Sequence, residues 1–318
     1  MSDFIYASGE TTQEVWKIDT STMATVATSD LYGSHIYSLI SLKDFIYGGG
    51  SGPRTVWKYD PNDLSKLGET LNYGGSIYAL GVDEEFLYVG GYTTETVWKV
   101  DPSTMGKIAE SPKYGGPIKT IMSDGTYIYT GGETTSKIWK LNSSDLSLIS
   151  EGFYGKNLDH IYAIEYHENT PGYIYVSGHG VMTVQKINTS NMLKEEESLN
   201  YGGAIFRLAS DNNNIYAAGW ANGPRTVWKL DPVDLTKIGE SPSYENSIYS
   251  LHYTDNFIYI GGQINRRVWK IDSTDMSKVA ESAAYGGTLW GITSIINFIP
   301  VLTAIQNGPA IDLSWIYE

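Results

Sequence analysis

The feature that most constrains this chain is a short string that recurs seven times. Val15-Trp16-Lys17-Ile18-Asp19 is the first copy, and its tryptophan returns at Trp57, Trp98, Trp139, Trp228 and Trp269. Gln185 fills the same slot in Val184-Gln185-Lys186-Ile187-Asn188, so the spacings are 41, 41, 41, 46, 43 and 41 residues. A period of roughly 40 to 50 residues belongs to propeller blades or helical arrays, whose units bury their apolar faces only against their neighbours.

The content of one unit separates these two. Ser76–Leu80, Phe86–Val89, Thr96–Val100 and Lys107–Glu110 are short aromatic and β-branched runs, the pattern of strands. Gly90-Gly91 ends the second run. Asp101-Pro102-Ser103-Thr104 reads as a turn, with Pro pre-setting φ and Asp placed to cap. No stretch of ten or more residues carries a helical period. Four strands per unit, A to D, predict a propeller blade of about 41 residues. Strand A recurs at Ile36, Ile77, Ile118, Ile161, Ile205, Ile248 and Leu289, so the expected fold is an all-β, seven-bladed β-propeller. The chain opens at strand B (Phe4–Gly9), and its last clear strand A is Thr288–Ile292. Residues 1–296 should therefore close by pairing the C-terminal strand A with the N-terminal strands B, C and D, which removes an open sheet edge. Residues 297–318 remain over. Asn297–Leu302 and Asp312–Tyr317 look like worn B and C strands, so this apolar tail is expected to be a surplus part-blade or a docking segment.

Units of the form IYAL…FLYVGG…VWKVDPSTM resemble the propeller repeats of the quinoprotein-like and YVTN surface-protein families. The resemblance covers nearly the whole chain and implies the fold. It implies less about activity, because such repeats serve enzymes, surface proteins and scaffolds alike. Enzymes of that class gather charged residues around a quinone or metal in the central channel, and the sequence displays no such set. The terminal Trp-Asp of WD repeats is replaced by Trp-Lys.

Composition narrows the classes. The 22 basic residues against 36 acidic ones give a net charge of −14, which argues against binding nucleic acid or anionic membrane through basic clusters. Cysteine is absent, so disulfides and Cys-ligated metals are excluded. Met1-Ser2-Asp3 opens no signal peptide, which leads us to expect a cytoplasmic or virion location. Residues 282–311 lack charge but are broken by Gly286-Gly287, Pro300 and Gly308-Pro309, so no membrane span is expected.

Candidate residues fall into six groups. The Trp-Lys-x-Asp element is expected to pack blades together, with Lys and Asp pairing on the far side of the strand; a lectin-like ring of tryptophans is the alternative. The A strands carry Tyr37, Tyr78, Tyr162, Phe206, Tyr249 and Trp290, with Lys119 in the seventh slot, either packing the inner sheets or stacking a ligand in the channel. His35 and His160 share the slot before strand A; without a carboxylate they are weak metal candidates, and neither metal nor cofactor is expected. The B–C loops gather Arg54, Arg225, Arg266 and Arg267, an inserted Trp220, and Tyr92, which resembles a binding hot spot on a rigid frame. The opposite face carries Asp63, Asp83, Glu84, Glu85, Asp234 and Asp275, predicting an electrostatically two-sided disc. One unit, from about Lys156 to Asn200, departs from the rest through Gln185, three extra residues within His167–Pro171, and His160, His167 and His179; drift explains it best.

No catalytic constellation stands out. The leading expectation is a non-catalytic structural or protein-interaction propeller, such as a virion or surface-assembly component. It would meet protein partners or further copies of itself through residues 297–318 and the B–C loop face. A carbohydrate-binding propeller using that face is the alternative, and a channel-site enzyme of quinoprotein-like or hydrolase type the second.

Overall fold

The computed structural model describes residues 3–155, 159–220 and 225–295, and the backbone of 301–307 and 310–316. Every regular element among them is a β-strand. Blade 1 is built as foreseen: strand A, Leu289–Ser294, lies beside strands B (Phe4–Gly9), C (Val15–Asp19) and D (Thr25–Thr28). Its register, Ala7 opposite Ile292 and Ile5 opposite Ser294, joins the first and last strands of the ring. Blades 2 to 7 follow in order, each antiparallel in the sequence A-B-C-D, with strands A beginning at Ile36, Ile77, Ile118, Ile161, Ile205 and Ile248. Each strand A packs against those of both neighbouring blades, so the A strands line a central channel.

The repeated string is a device for joining blades. Each C-strand tryptophan meets the tyrosine that leads into its own blade. Tyr73 and Trp98 lie edge to face at 5.0 Å, and Tyr32–Trp57, Tyr114–Trp139, Tyr201–Trp228 and Tyr244–Trp269 repeat the contact at 5.0–5.2 Å. The tyrosine hydroxyl donates to the backbone just before strand C, as from Tyr73 to the Thr96 carbonyl. Trp98 also donates from Nε1 to Glu110 Oε1 at 3.2 Å. Gln185 keeps that bond in blade 5, donating from Nε2 to Glu197 Oε1 at 3.3 Å.

The lysine corrects the sequence expectation: it does not pair with the aspartate two residues on. Lys99 Nζ crosses to the next blade and donates to the Ser143 carbonyl at 2.8 Å, while lying 3.8 Å from the centre of the Phe86 ring. Lys17, Lys58, Lys140, Lys186, Lys229 and Lys270 make the same step, and Lys270 reaches Thr20 to close the circle. The aspartate instead caps its own C–D turn, as Asp101 Oδ1 accepts from the Ser103 N–H at 2.8 Å. Asn142 and Asn188 cap in the same way, each Oδ1 accepting from the N–H two residues on.

The Gly-Gly that ends strand B is demanded by packing. A Cβ on Gly90 would stand 2.6 Å from Ile118 Cγ2 of the next blade, and one on Gly91 would stand 2.1 Å from the Ser76 carbonyl. That second contact arises because strand A bulges there. Ile77 faces Gly91 and Ala79 faces Gly90, leaving Tyr78 unpaired. All seven blades bulge at this step.

The tail does not join a blade. Val301–Asn307 and Ala310–Ile316 pair antiparallel as a two-stranded sheet of their own, Val301 opposite Ile316. Gly308-Pro309 lies outside the described residues.

Candidate binding site at the channel mouth

A bulge turns its extra side chain away from the alternation of the strand. Here the seven extra residues are Tyr37, Tyr78, Lys119, Tyr162, Phe206, Tyr249 and Trp290, and they converge on the axis as a collar. Ring centres run Tyr162–Phe206 5.1 Å, Phe206–Tyr249 4.9 Å, Tyr249–Trp290 4.4 Å, Trp290–Tyr37 5.7 Å and Tyr37–Tyr78 5.1 Å. Lys119 continues the series, its Nζ 3.5 Å from the centre of the Tyr78 ring, and pairs with Glu133 at 3.2 Å. Burial holds the Lys119 ammonium below its usual pKa, opposed by Glu133. The aromatic series thus both packs with itself and walls a cavity of about 420 Å³.

Around the collar stand two outer rings on the B–C loop face. The first is the slot before strand A. There His35 Nδ1 lies 3.2 Å from the Tyr37 hydroxyl, and His160 Nδ1 lies 3.1 Å from that of Tyr162. Glu10 and Glu133 lie 4.0 Å from His35 and His160 respectively. Among the described residues no group of three His, Asp or Glu is arranged to hold a metal ion.

The second ring is the first residue after strand B: Glu10, Ser51, Tyr92, Glu133, His179, Trp220 and Gln263. Each donates its N–H to the residue preceding strand A, Trp220 to Ala204 at 2.8 Å and Tyr92 to Ser76 at 2.9 Å. Trp220 is therefore no insertion. It occupies the regular slot that Tyr92 shares, and the extra loop residues follow it. Both side chains are open to solvent, 40% and 54% exposed.

The arginines also prove to be repeat positions. Arg54, Arg225 and Arg266 share one slot with Gln13, Glu95, Ser136 and Met182; all seven have positive φ, 60°, 60° and 55° at the arginines. Their carbonyls accept the N–H of the blade-leading tyrosines, Tyr73, Tyr244 and Tyr285 for the three arginines. The side chains diverge. Arg225 donates to the Glu245 carbonyl at 2.8 Å, Arg266 to Gly286 at 3.2 Å, and Arg267 to Ser282 at 2.8 Å, while Arg54 is exposed. Blades 6, 7 and 2 carry them, so they frame one sector of the face.

Sequence reasoning missed the charges inside the channel. Arg207 lies on strand A of blade 6, where the other blades carry Ser38, Ala79, Thr120, Ala163, Ser250 and Gly291. Its guanidinium makes two hydrogen bonds among the described residues, Nη1 to the Phe206 carbonyl at 2.9 Å and Nη2 across the channel to Trp290 at 3.4 Å. Burial alone pulls its pKa to about 10. It lines both the mouth cavity and a deeper one of about 470 Å³. The deeper cavity holds Glu165, which accepts from Ser210 Oγ at 2.7 Å and is pushed by burial to about 7. It also holds His252, whose Nε2 lies 2.8 Å from Ser294 Oγ and which burial lowers to about 4. Tabulating strand A slot by slot would have exposed all three as polar residues where other blades carry small or apolar ones.

No protein-family model matches the chain, and no curated protein matches it. Solved structures share its architecture. The WD40 β-propeller domain of Doa1 superposes with a TM-score of 0.68 at 12% identity, covering 80% of this chain and 85% of that one. The computationally designed Ika8 protein superposes with a TM-score of 0.69 at 12% identity, covering 92% and 87%. At such identity the likeness concerns the fold: the chain is a seven-bladed β-propeller. Among the described residues no helix is long and apolar enough to cross a membrane.

Proposed function

We propose that this protein is a non-catalytic binding propeller that docks a protein partner on its B–C loop face. The observation that carries this reading is the pair of solvent-open aromatics, Tyr92 and Trp220, held by the regular backbone bonds of the ring around the mouth. Aromatic side chains on a rigid frame supply large contact area at low entropy cost, and they dominate interface hot spots. Arg225, Arg266 and Arg267 stiffen the loops on the Trp220 side of the ring by binding the adjoining linkers. Among relatives of the quinoprotein-like and YVTN type, we place the chain with the non-enzymatic surface and assembly proteins. Residues 297–318, whose two strands form a sheet outside the blades, act as a second docking element for another copy.

The test is a photo-crosslinker placed at position 220 or, on the opposite face, at position 84, introduced where the protein is expressed. A distinct protein adduct from 220 and none from 84 supports the reading. A saturable glycan ligand that is lost in Trp220→Ala, with no protein adduct, would replace it with the carbohydrate-binding alternative.

A further inference from the structure

The strongest unexplained feature of the molecule lies in the lumen, below the proposed docking face and independent of it. Arg207 is the one long side chain in a slot that the other six blades fill with Ser, Ala, Thr or Gly. It therefore projects into space that the fold otherwise leaves open. A guanidinium carries five N–H donors in a planar fork matched to a carboxylate. Among the described residues its two hydrogen bonds end on main-chain carbonyls, at Phe206 and Trp290, and no ion pair offsets its burial. Arg207 lines both cavities of the channel. Above it rise flat aromatic walls: Tyr37, Tyr162, Phe206, Tyr249 and Trp290. At about 420 Å³ the chamber is the size of a small-molecule site, and apolar walls with a few placed polar groups are what such sites share. The second cation of the chamber, Lys119, is already neutralised by Glu133, so Arg207 is the charge left for a ligand.

We propose that the mouth of the channel binds a small organic monoanion with a planar apolar body, an aromatic or unsaturated carboxylate. Its carboxylate meets the Arg207 fork and its body lies between the collar rings. Entry is from the B–C loop face, past Glu10 and His35. Glu10, which lies beside His35 and has no lysine partner among the described residues, selects against ligands of higher negative charge.

Ligand-observed fluorine NMR on the full chain tests this, with 4-fluorobenzoate as probe and 4-fluorobenzyl alcohol as its neutral counterpart. The expected result is saturable, roughly millimolar binding of the benzoate, at least tenfold weaker binding of the alcohol, and contacts from the benzoate to the Trp290 and Phe206 ring protons. Arg207→Met should abolish the preference for the anion, whereas Lys113→Met, at an exposed lysine that does not line the chamber, should leave it in place. The wild-type comparison stands even if the Arg207 variant fails to fold. Absence of saturable binding, equal binding of anion and alcohol, or an unchanged preference in Arg207→Met would each overturn the proposal. None of these touches the protein-docking reading, which the crosslinking experiment addresses separately.

Discussion

The outer C strands and the inner A strands of this propeller are built on the same repeat but use it differently. On the C strands, regularity is structure. Seven lysines make one step to the next blade, and even Gln185, which replaces a tryptophan, keeps the hydrogen bond to Glu197. On the A strands, the repeat supplies bulges and small residues, and the exceptions are charged or polar side chains. Lys119, Glu165, Arg207 and His252 each break a slot, and all four line the channel. In a repeat protein the consensus therefore reports the frame, and the departures report what the frame presents.

The harshest way to break the frame is to open it. Deleting residues 1–30 removes strands B, C and D of blade 1 and the Thr20 carbonyl that receives Lys270. Loss of the cooperative thermal transition is expected; a truncated chain melting at the parental temperature would refute the closure.

Single sites should follow. Trp98→Ala empties a buried position and should cost about 3–5 kcal/mol in denaturant unfolding. Gln185→Trp should move the other way, by about 1 kcal/mol, because the blade 5 slot retains its Glu197 partner. A destabilised Gln185→Trp variant would mean that blade 5 has repacked beyond the reach of the consensus.

The inner strands predict a pH signature. Glu165 titrates near 7 in the fold against an ordinary value of about 4.5, so the fold favours its protonated form. Its contribution is complete below pH 4.5 and is lost as pH rises through 7. His252 titrates near 4 against 6.5, so its contribution is complete above pH 6.5 and is lost as pH falls toward 4. The two slopes oppose each other between pH 4.5 and 6.5. Glu165→Gln should raise the melting temperature at pH 8 and unmask a decline on acidification below pH 6.5. An unchanged stability-pH profile in that variant would remove Glu165 from the account. The smallest effect is expected at the rim, where Trp220→Ala should leave the melting temperature within about a degree, since a solvent-open side chain loses little on truncation.

Much of this was legible in the sequence. The 41-residue period, the glycine that ends every strand B and the Asp or Asn at the end of every strand C specify seven four-stranded blades and their closure, because each is a local backbone requirement repeated seven times. The collar residues were legible as a series near the axis, with packing and stacking in the channel both open; the bulge, which leaves Tyr78 unpaired between Ile77 and Ala79, is what the sequence did not display. Lys99 was assigned to Asp101 because alternation puts both on one side of the strand. The stagger between blades brings Ser143 nearer, and no single-strand argument contains that. Trp220 read as an insertion because loop length varies, whereas the hydrogen bond to Ala204 fixes it in the common slot.

The claim that the frame is structural and its inner exceptions are functional is tested most directly by one pair of variants, Lys99→Met and Arg207→Met, compared by thermal unfolding of the full chain. Both remove a cation and keep an apolar stem. Lys99→Met should lower the midpoint by the equivalent of about 1–3 kcal/mol, because it leaves the Ser143 carbonyl without its charged donor. Arg207→Met should leave the midpoint unchanged or raise it, since a buried cation without a counter-charge is relieved. Equal destabilisation by the two would show that Arg207 braces the ring as the lysines do, and would contradict the division between frame and site.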